Sequence, residues 1–400
     1  MFYRVLTTAL SLAMFAGCGQ SGDHGGKSLN ANTVLASCKM ALDAKDRQTA
    51  TKDCAFAEQW LARDQPDTLA YAEALENMTD MLAANNPAVA ANNYQQALGI
   101  REKLADNSPA LTGLQIKLAN SLTGLNKWAE AEIAFKKALR RIEADKSAES
   151  LEAAEVLNRM GVAQLQQQLL ADAELSLRRA LTIRETKLNP ADVALGETYN
   201  NLGYLYQAMS KPQDAESFYR KAVSNQESAQ DTPYRQLFDS LSNLATLLQN
   251  NGKPQDSEAY WKKLLAVTEK GYGKDSAQYA LVLNQLGLLA IAAHRYPAAE
   301  NYFKEEVDIR EKKLGLNHIL TAEAANNLAV ALANQGKTTL AEPLMRHAFA
   351  VTQVALGMND PLTQQRWNSL QNLERGGANN HPVATSQPPQ PAEPPKKSKR

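Results

Sequence analysis

The sequence is poor in residues that carry chemistry. It has three cysteines and five histidines in 400 positions. The histidines (His24, His294, His318, His347 and His381) are far apart, and no C-x-x-C or Cys/His cluster exists, which argues against a zinc site. There is no Walker loop, G-x-S-x-G or H-E-x-x-H. Nothing therefore points to catalysis, a metal or a cofactor. Lys+Arg and Asp+Glu balance at 43 each, so no net basic field favours nucleic acid. Aromatics make up only 6% of residues, and charged residues 22%, which suits an Ala/Leu-rich helical protein.

What the chain does have is a period. Ala131-Glu132, Ala173-Glu174, Ala215-Glu216, Ser257-Glu258, Ala299-Glu300 and Ala341-Glu342 each begin 42 residues after the last. A fixed step of this size marks a repeat array, in which each unit buries its apolar face against its neighbours. Within one copy, Tyr199, Leu202, Gly203 and Tyr206 fall at i, i+3, i+4 and i+7 on one helix face. A turn follows at residues 210–212, and Pro212 suits the first position of a second helix, where its missing N–H costs nothing. Ala215, Tyr219 and Ala222 then form a second stripe.

Small residues after a leucine, followed by Ala, an aromatic and Ala on a second helix, resemble the tetratricopeptide (TPR) pattern. The 42-residue period and the stretch LGLNHILTAEAANNLAVAL at 314–332 are similar to the kinesin-light-chain subtype, with Ile319 where that subtype has Pro. The resemblance implies an all-α fold, a superhelical solenoid of antiparallel helix hairpins. The position after the anchor leucine is always small (Ala119, Gly161, Gly203, Ala245, Gly287, Ala329). The large second-helix position (Phe135, Leu177, Tyr219, Trp261, Phe303, Met345) is expected to fill the gap between adjacent units. Glu306 breaks the second-helix stripe and is expected at its edge. The spacing slips to 41 near Ala97, so residues 31–108 read as degenerate repeats, 109–360 as six full ones and 361–374 as a capping helix. The expected total is eight hairpins and a cap.

The two ends differ from the body. Residues 5–16 are an apolar run too short to span a bilayer as a mature helix, and it leads into Phe15-Ala16-Gly17-Cys18. This resembles the lipobox of bacterial lipoproteins, with Phe15 in place of the preferred Leu. The resemblance implies removal of residues 1–17, acylation of Cys18 and a membrane anchor. Gly19, rather than Asp, then favours an outer-membrane lipoprotein facing the periplasm. Residues 18–30 read as a polar tether. Cys38 and Cys54 lie equidistant from a polar turn between two helical stretches. In an oxidising compartment they form either a disulfide or two small buried thiols. Residues 375–400 are Pro-rich with a basic tip. They serve either as a solubilising tail or as a contact for an anionic envelope polymer.

In TPR arrays the first helices line a concave face, and the position two before each anchor leucine points into it. Here that column reads Ile116, Asn158, Asn200, Ser242, Asn284, Asn326 and Asn368, flanked by Lys117, Arg159, Asn201, Asn243, Gln285 and Asn327. Tyr204 and Gln207 follow on the same face, and Glu155, Glu197, Asp239 and Glu323 form an acidic edge. Amides can pair with an extended peptide backbone, or they can bind neighbouring helices to one another. Only Lys117 and Arg159 are basic there, which argues against a carboxylate clamp and suits a basic or neutral peptide. The expectation is a membrane-anchored envelope scaffold that binds a protein or peptide. The alternative is an accessory protein of cell-wall or polysaccharide metabolism.

Overall fold

A computed structural model describes residues 31–44, 47–82, 86–106, 108–145, 148–229 and 232–375. The signal segment, Cys18, the tether and all but the first residue of the tail lie outside these. The described residues form seventeen helices and no strand. In chain order they are α1 (Ala31–Asp43), α2 (Arg47–Asp64), α3 (Leu69–Leu82), α4 (Pro87–Lys103), α5 (Ala110–Gly124), α6 (Trp128–Asp145), α7 (Leu151–Gln166), α8 (Leu170–Lys187), α9 (Val193–Ala208), α10 (Pro212–Ser228), α11 (Tyr234–Asn250), α12 (Pro254–Tyr272), α13 (Ala277–Ala292), α14 (Tyr296–Leu314), α15 (Ile319–Ala333), α16 (Thr338–Leu356) and α17 (Pro361–Glu374). The fold is an all-α repeat. None of the helices is long and apolar enough to cross a membrane.

The chain divides into two compact units between Arg141 and Ile142. In the first, α1 packs on α2 and α3 on α4. Cys38 and Cys54 are joined in a disulfide, with Cα atoms 4.6 Å apart, and both are fully buried against Ala57.

The second unit runs from α7 to α17 as hairpins α7/α8, α9/α10, α11/α12, α13/α14 and α15/α16, closed by α17. Odd-numbered members are called A helices here and even-numbered members B helices. Local rules recur at every step. Five of the six A-helix starts are capped by the side chains of Ser150, Asp192, Ser276, His318 and Asp360, each accepting a backbone N–H two or three residues on, while α11 follows Pro233 without a side-chain cap. His318 does this with Nδ1 to the Leu320 N–H at 3.2 Å, which leaves Ile319 at the first helical position. The A-to-B turn carries one left-handed residue per repeat: Asn126, Gln168, Ser210, Gly252, His294 and Gly336, with φ between 56° and 77°. Only two of the six are glycine, so four copies carry backbone strain at this point.

The core follows from the small column. A Cβ added at Gly203 would stand 2.5 Å from Tyr219 Cδ1, at Gly161 2.6 Å from Leu177 Cγ, and at Gly287 2.5 Å from Phe303 Cε1. The large B-helix residue therefore lies flat on the small residue of its own A helix, rather than only filling a gap between units. Leu177, Tyr219 and Trp261 are essentially unexposed and belong to one continuous cluster with Leu202, Leu244 and Leu286. Each such side chain contributes roughly 1.5–3 kcal/mol by burial.

Three of the six glutamates of the opening pairs tie their B helix to the next turn. Glu216 accepts from Lys253 at 2.7 Å, Glu258 from Arg295 at 2.5 Å and Glu300 from Lys337 at 2.7 Å. These hydrogen bonds hold the Glu258 and Glu300 carboxyls below their ordinary range. Over these three copies the sequence period is also the period of a surface latch. Glu306 corrects an expectation: it is 1% exposed, not at the stripe's edge. Arg310 donates to its Oε1 at 2.7 Å while Oε2 has no partner. Desolvation raises its carboxyl to about 8. The four-residue spacing to Arg310 lets one buried pair form within α14.

Candidate functional site

The candidate site is the A-helix face of the second unit. Its amides are engaged across repeats. Asn201 Nδ2 donates to Asn158 Oδ1 at 3.2 Å, Asn243 to Asn200 at 3.1 Å and Asn327 to Asn284 at 3.1 Å. Each bond joins one A helix to the A helix of the preceding repeat, 43 residues back. Asn158, Asn284, Asn326 and Asn327 are buried, whereas Asn200, Asn201 and Asn243 are half-buried. Of the two roles open to these amides, the geometry supplies the helix-to-helix one. Asn158, Asn200, Asn201, Asn243, Asn284 and Asn327 thus form the wall itself rather than projecting from it.

Arg159 is exposed and its Nε bonds Glu155 at 2.5 Å. In the first unit, Lys117 is engaged by Asp80 at 2.6 Å. Gln207 is half-buried and accepts from the Tyr219 hydroxyl at 3.1 Å. Tyr204, on α9, is 44% exposed.

A residue the sequence reading passed over organises the region. Arg184, near the end of α8, is 2% exposed. It donates to the Ala194 carbonyl at 2.7 Å, to Thr198 Oγ1 at 2.6 Å, to Glu155 on its own A helix and to Glu197 on the next at 3.4 Å. Two edge carboxylates from successive repeats are held by one guanidinium. An Arg-Glu pair stands at both 101–102 and 184–185 in the sequence. In the first unit, Arg101 similarly bonds Glu76 at 2.9 Å and Asp106 at 2.7 Å.

The acidic edge has a distinctive electrostatic state. Asp239 on α11 is exposed, yet desolvation pushes its carboxyl up to about 6. Glu197 has a side chain 37% exposed and is also raised, first by desolvation and then by the charge of Glu155. Both stand on A helices and are partly open to solvent. Glu323 departs from the pattern, being only 7% exposed. No group of three or more metal-ligating side chains occurs among the described residues.

Tetratricopeptide-repeat family models match residues 116–190, 195–224, 236–312 and 321–362. No curated protein sequence matches the chain. Among solved structures, the apo quorum sensor NprR from B. thuringiensis has a TM-score of 0.56 at 13% identity, covering 87% of this chain and 94% of that one. The apo form of RapI has 0.55 at 13% identity, covering 88% and 99%. BtubC (BKLC) from P. vanneervenii has 0.49 at 20% identity, covering 58% and 92%. These likenesses concern the fold. With the hairpins, the small column and the matched family models in agreement, the chain is a tetratricopeptide-repeat protein over more than half of its 400 residues.

Proposed function

We propose that the chain is an envelope-anchored scaffold that holds an extended protein or peptide against the A-helix face of its second unit. The observation that carries this is the A-helix face of α7, α9 and α11, which is fastened from repeat to repeat by the amide bonds and by Arg184, while Tyr204 and Asp239 stay exposed on α9 and α11. A wall tied from repeat to repeat loses little freedom when a ligand docks, and that preorganisation favours binding. A side chain like Tyr204 offers a large, stiff contact surface with a polar tip.

The anchor belongs to the same proposal and rests on the lipobox resemblance. Cys18 carries the lipid, residues 18–30 give reach, and the array faces the periplasm. Acylation is tested by metabolic labelling with a palmitate analogue. The wild type should be marked and Cys18→Ser unmarked, and equal labelling would end the anchor claim. The groove is tested by crosslinked capture from cell envelopes. Tyr204→Ala should lose the captured partner while its helical circular dichroism stays unchanged. Capture that survives this change would place the partner elsewhere.

A further inference from the structure

We infer that the Cys38–Cys54 bridge stands in for the large-on-small contact of the array, and that the α1/α2 hairpin is a redox-dependent element, docked on α3 while the bridge is closed and released once it is reduced. The register carries this. In the full repeats the large B-helix residue follows the small A-helix residue by 16 positions, as at Ala119/Phe135, Gly161/Leu177 and Gly203/Tyr219. Met78 and Tyr94 keep that spacing in α3/α4, and Cys38 and Cys54 are 16 apart in α1/α2. The flanking positions agree. An alanine stands four residues before the large position at Ala50, Ala90 and Ala131, and another three after it at Ala57, Ala97 and Ala138, all of them buried. The first hairpin is thus a repeat of the same kind, with a covalent bond where the others have a large side chain.

Little else holds this hairpin. Of the buried apolar residues described in α1 and α2, only Leu35 and Leu61 are larger than cysteine, and the rest are alanines and the bridged pair. The polar ties lie at the surface. Ser37 donates to Asp53 at 2.5 Å, and Lys39 meets Glu73 of α3 at 2.5 Å; exposed contacts of this kind contribute little. Two free cysteines occupy less space than the Ala119/Phe135 pair of α5/α6. Opening the bond therefore lifts the loop constraint and also leaves the contact underfilled. Met78 of α3, which packs against the bridge, then loses its cover. The bond opens by exchange with a dithiol. One thiolate attacks a bridge sulfur, the Cys38–Cys54 bond breaks and the departing sulfur takes a proton; the second thiol then closes the reductant's own disulfide and frees the other cysteine. Two electrons pass to the protein. Both cysteines are fully buried, so exchange requires the hairpin to open first.

The test follows amide hydrogen exchange by mass spectrometry in the full chain. Dithiothreitol, once the mass shows both thiols free, should speed exchange across residues 31–64 at least about tenfold and leave α9 to α16 unchanged. Cys38→Ser together with Cys54→Ser should do the same without reductant. Cys38→Ala together with Cys54→Phe copies the Ala119/Phe135 pair. It should bring protection back to within about threefold of the oxidised wild type and make it indifferent to dithiothreitol. Protection of residues 31–64 that survives in the double serine variant would overturn the redox dependence. Exchange speeded throughout the chain would mean that the bridge supports the whole fold, and would overturn the assignment to one hairpin. An alanine–phenylalanine variant no better protected than the double serine one would overturn the shared register.

Discussion

Arg184 donates to the Thr198 hydroxyl from α8 to α9, and four repeats later the same two positions carry the pair inverted. There Arg366 of α17 donates to Thr352 of α16. The partners have exchanged places, and their surroundings differ. Arg184 has two carboxylates and a carbonyl within reach, whereas Nε and Nη2 of Arg366 are buried without partners. Burial accordingly pulls the Arg366 guanidinium below its ordinary range. The same change at the two sites should therefore have opposite consequences. Arg184→Met leaves Glu197 without its ion pair and Glu155 with Arg159 alone, and should cost about 3 kcal/mol. Arg366→Met removes an incompletely paired charge and should cost less than about 1 kcal/mol or stabilise. Urea unfolding of both variants measures this, and equal losses would contradict it.

The small column yields a second contrast. Gly203→Ala drives a methyl group into the Tyr219 ring and should cost about 1–3 kcal/mol. Gly99→Ala, in mid-helix with nothing within 4 Å of the new methyl, should stabilise by up to about 1 kcal/mol. Differential unfolding of the two alanine variants checks the sign.

The left-handed turn column gives a third. His294 has φ 56° where Gly252 and Gly336 occupy the same place in other repeats. His294→Gly should relieve strain of about 1 kcal/mol, less the entropy that glycine adds to the unfolded chain. The expected outcome is a small rise in Tm.

Glu306 sets a pH dependence. Its folded value, about 8, lies above the ordinary 4.5, so the folded chain binds a proton more tightly than the unfolded one. Its contribution is most favourable below about 4.5 and declines as pH rises, until it levels off above about 8. The charges that act on it are Arg310, which lowers its carboxyl, and Glu323, which raises it. Glu306→Gln should flatten the stability profile across that interval. A profile unchanged by the substitution would contradict the burial argument.

Much of this was legible in the sequence because repeats print their contacts in register. The 42-residue step, the small column after the anchor leucine and the Cys38–Cys54 pair can all be read along one helix or one hairpin. The amide ladder and the Arg184 hub could not be read that way. Their partners lie 43 and 29 residues away on different helices, so they depend on how successive hairpins are offset. Glu306 was misplaced for a related reason. A stripe reading treats a charged residue as an edge residue, while the i+4 arginine that permits its burial is visible only once α14 is packed.

The central claim is that partners dock on the A-helix face. Its most direct test is site-specific photocrosslinking in cell envelopes, with the crosslinking residue placed at Tyr204 on α9 or at Leu175 on α8, which is 72% exposed. A discrete adduct from position 204 and none from 175 is the predicted result. Adducts from 175 alone, or equally from both, would contradict the account.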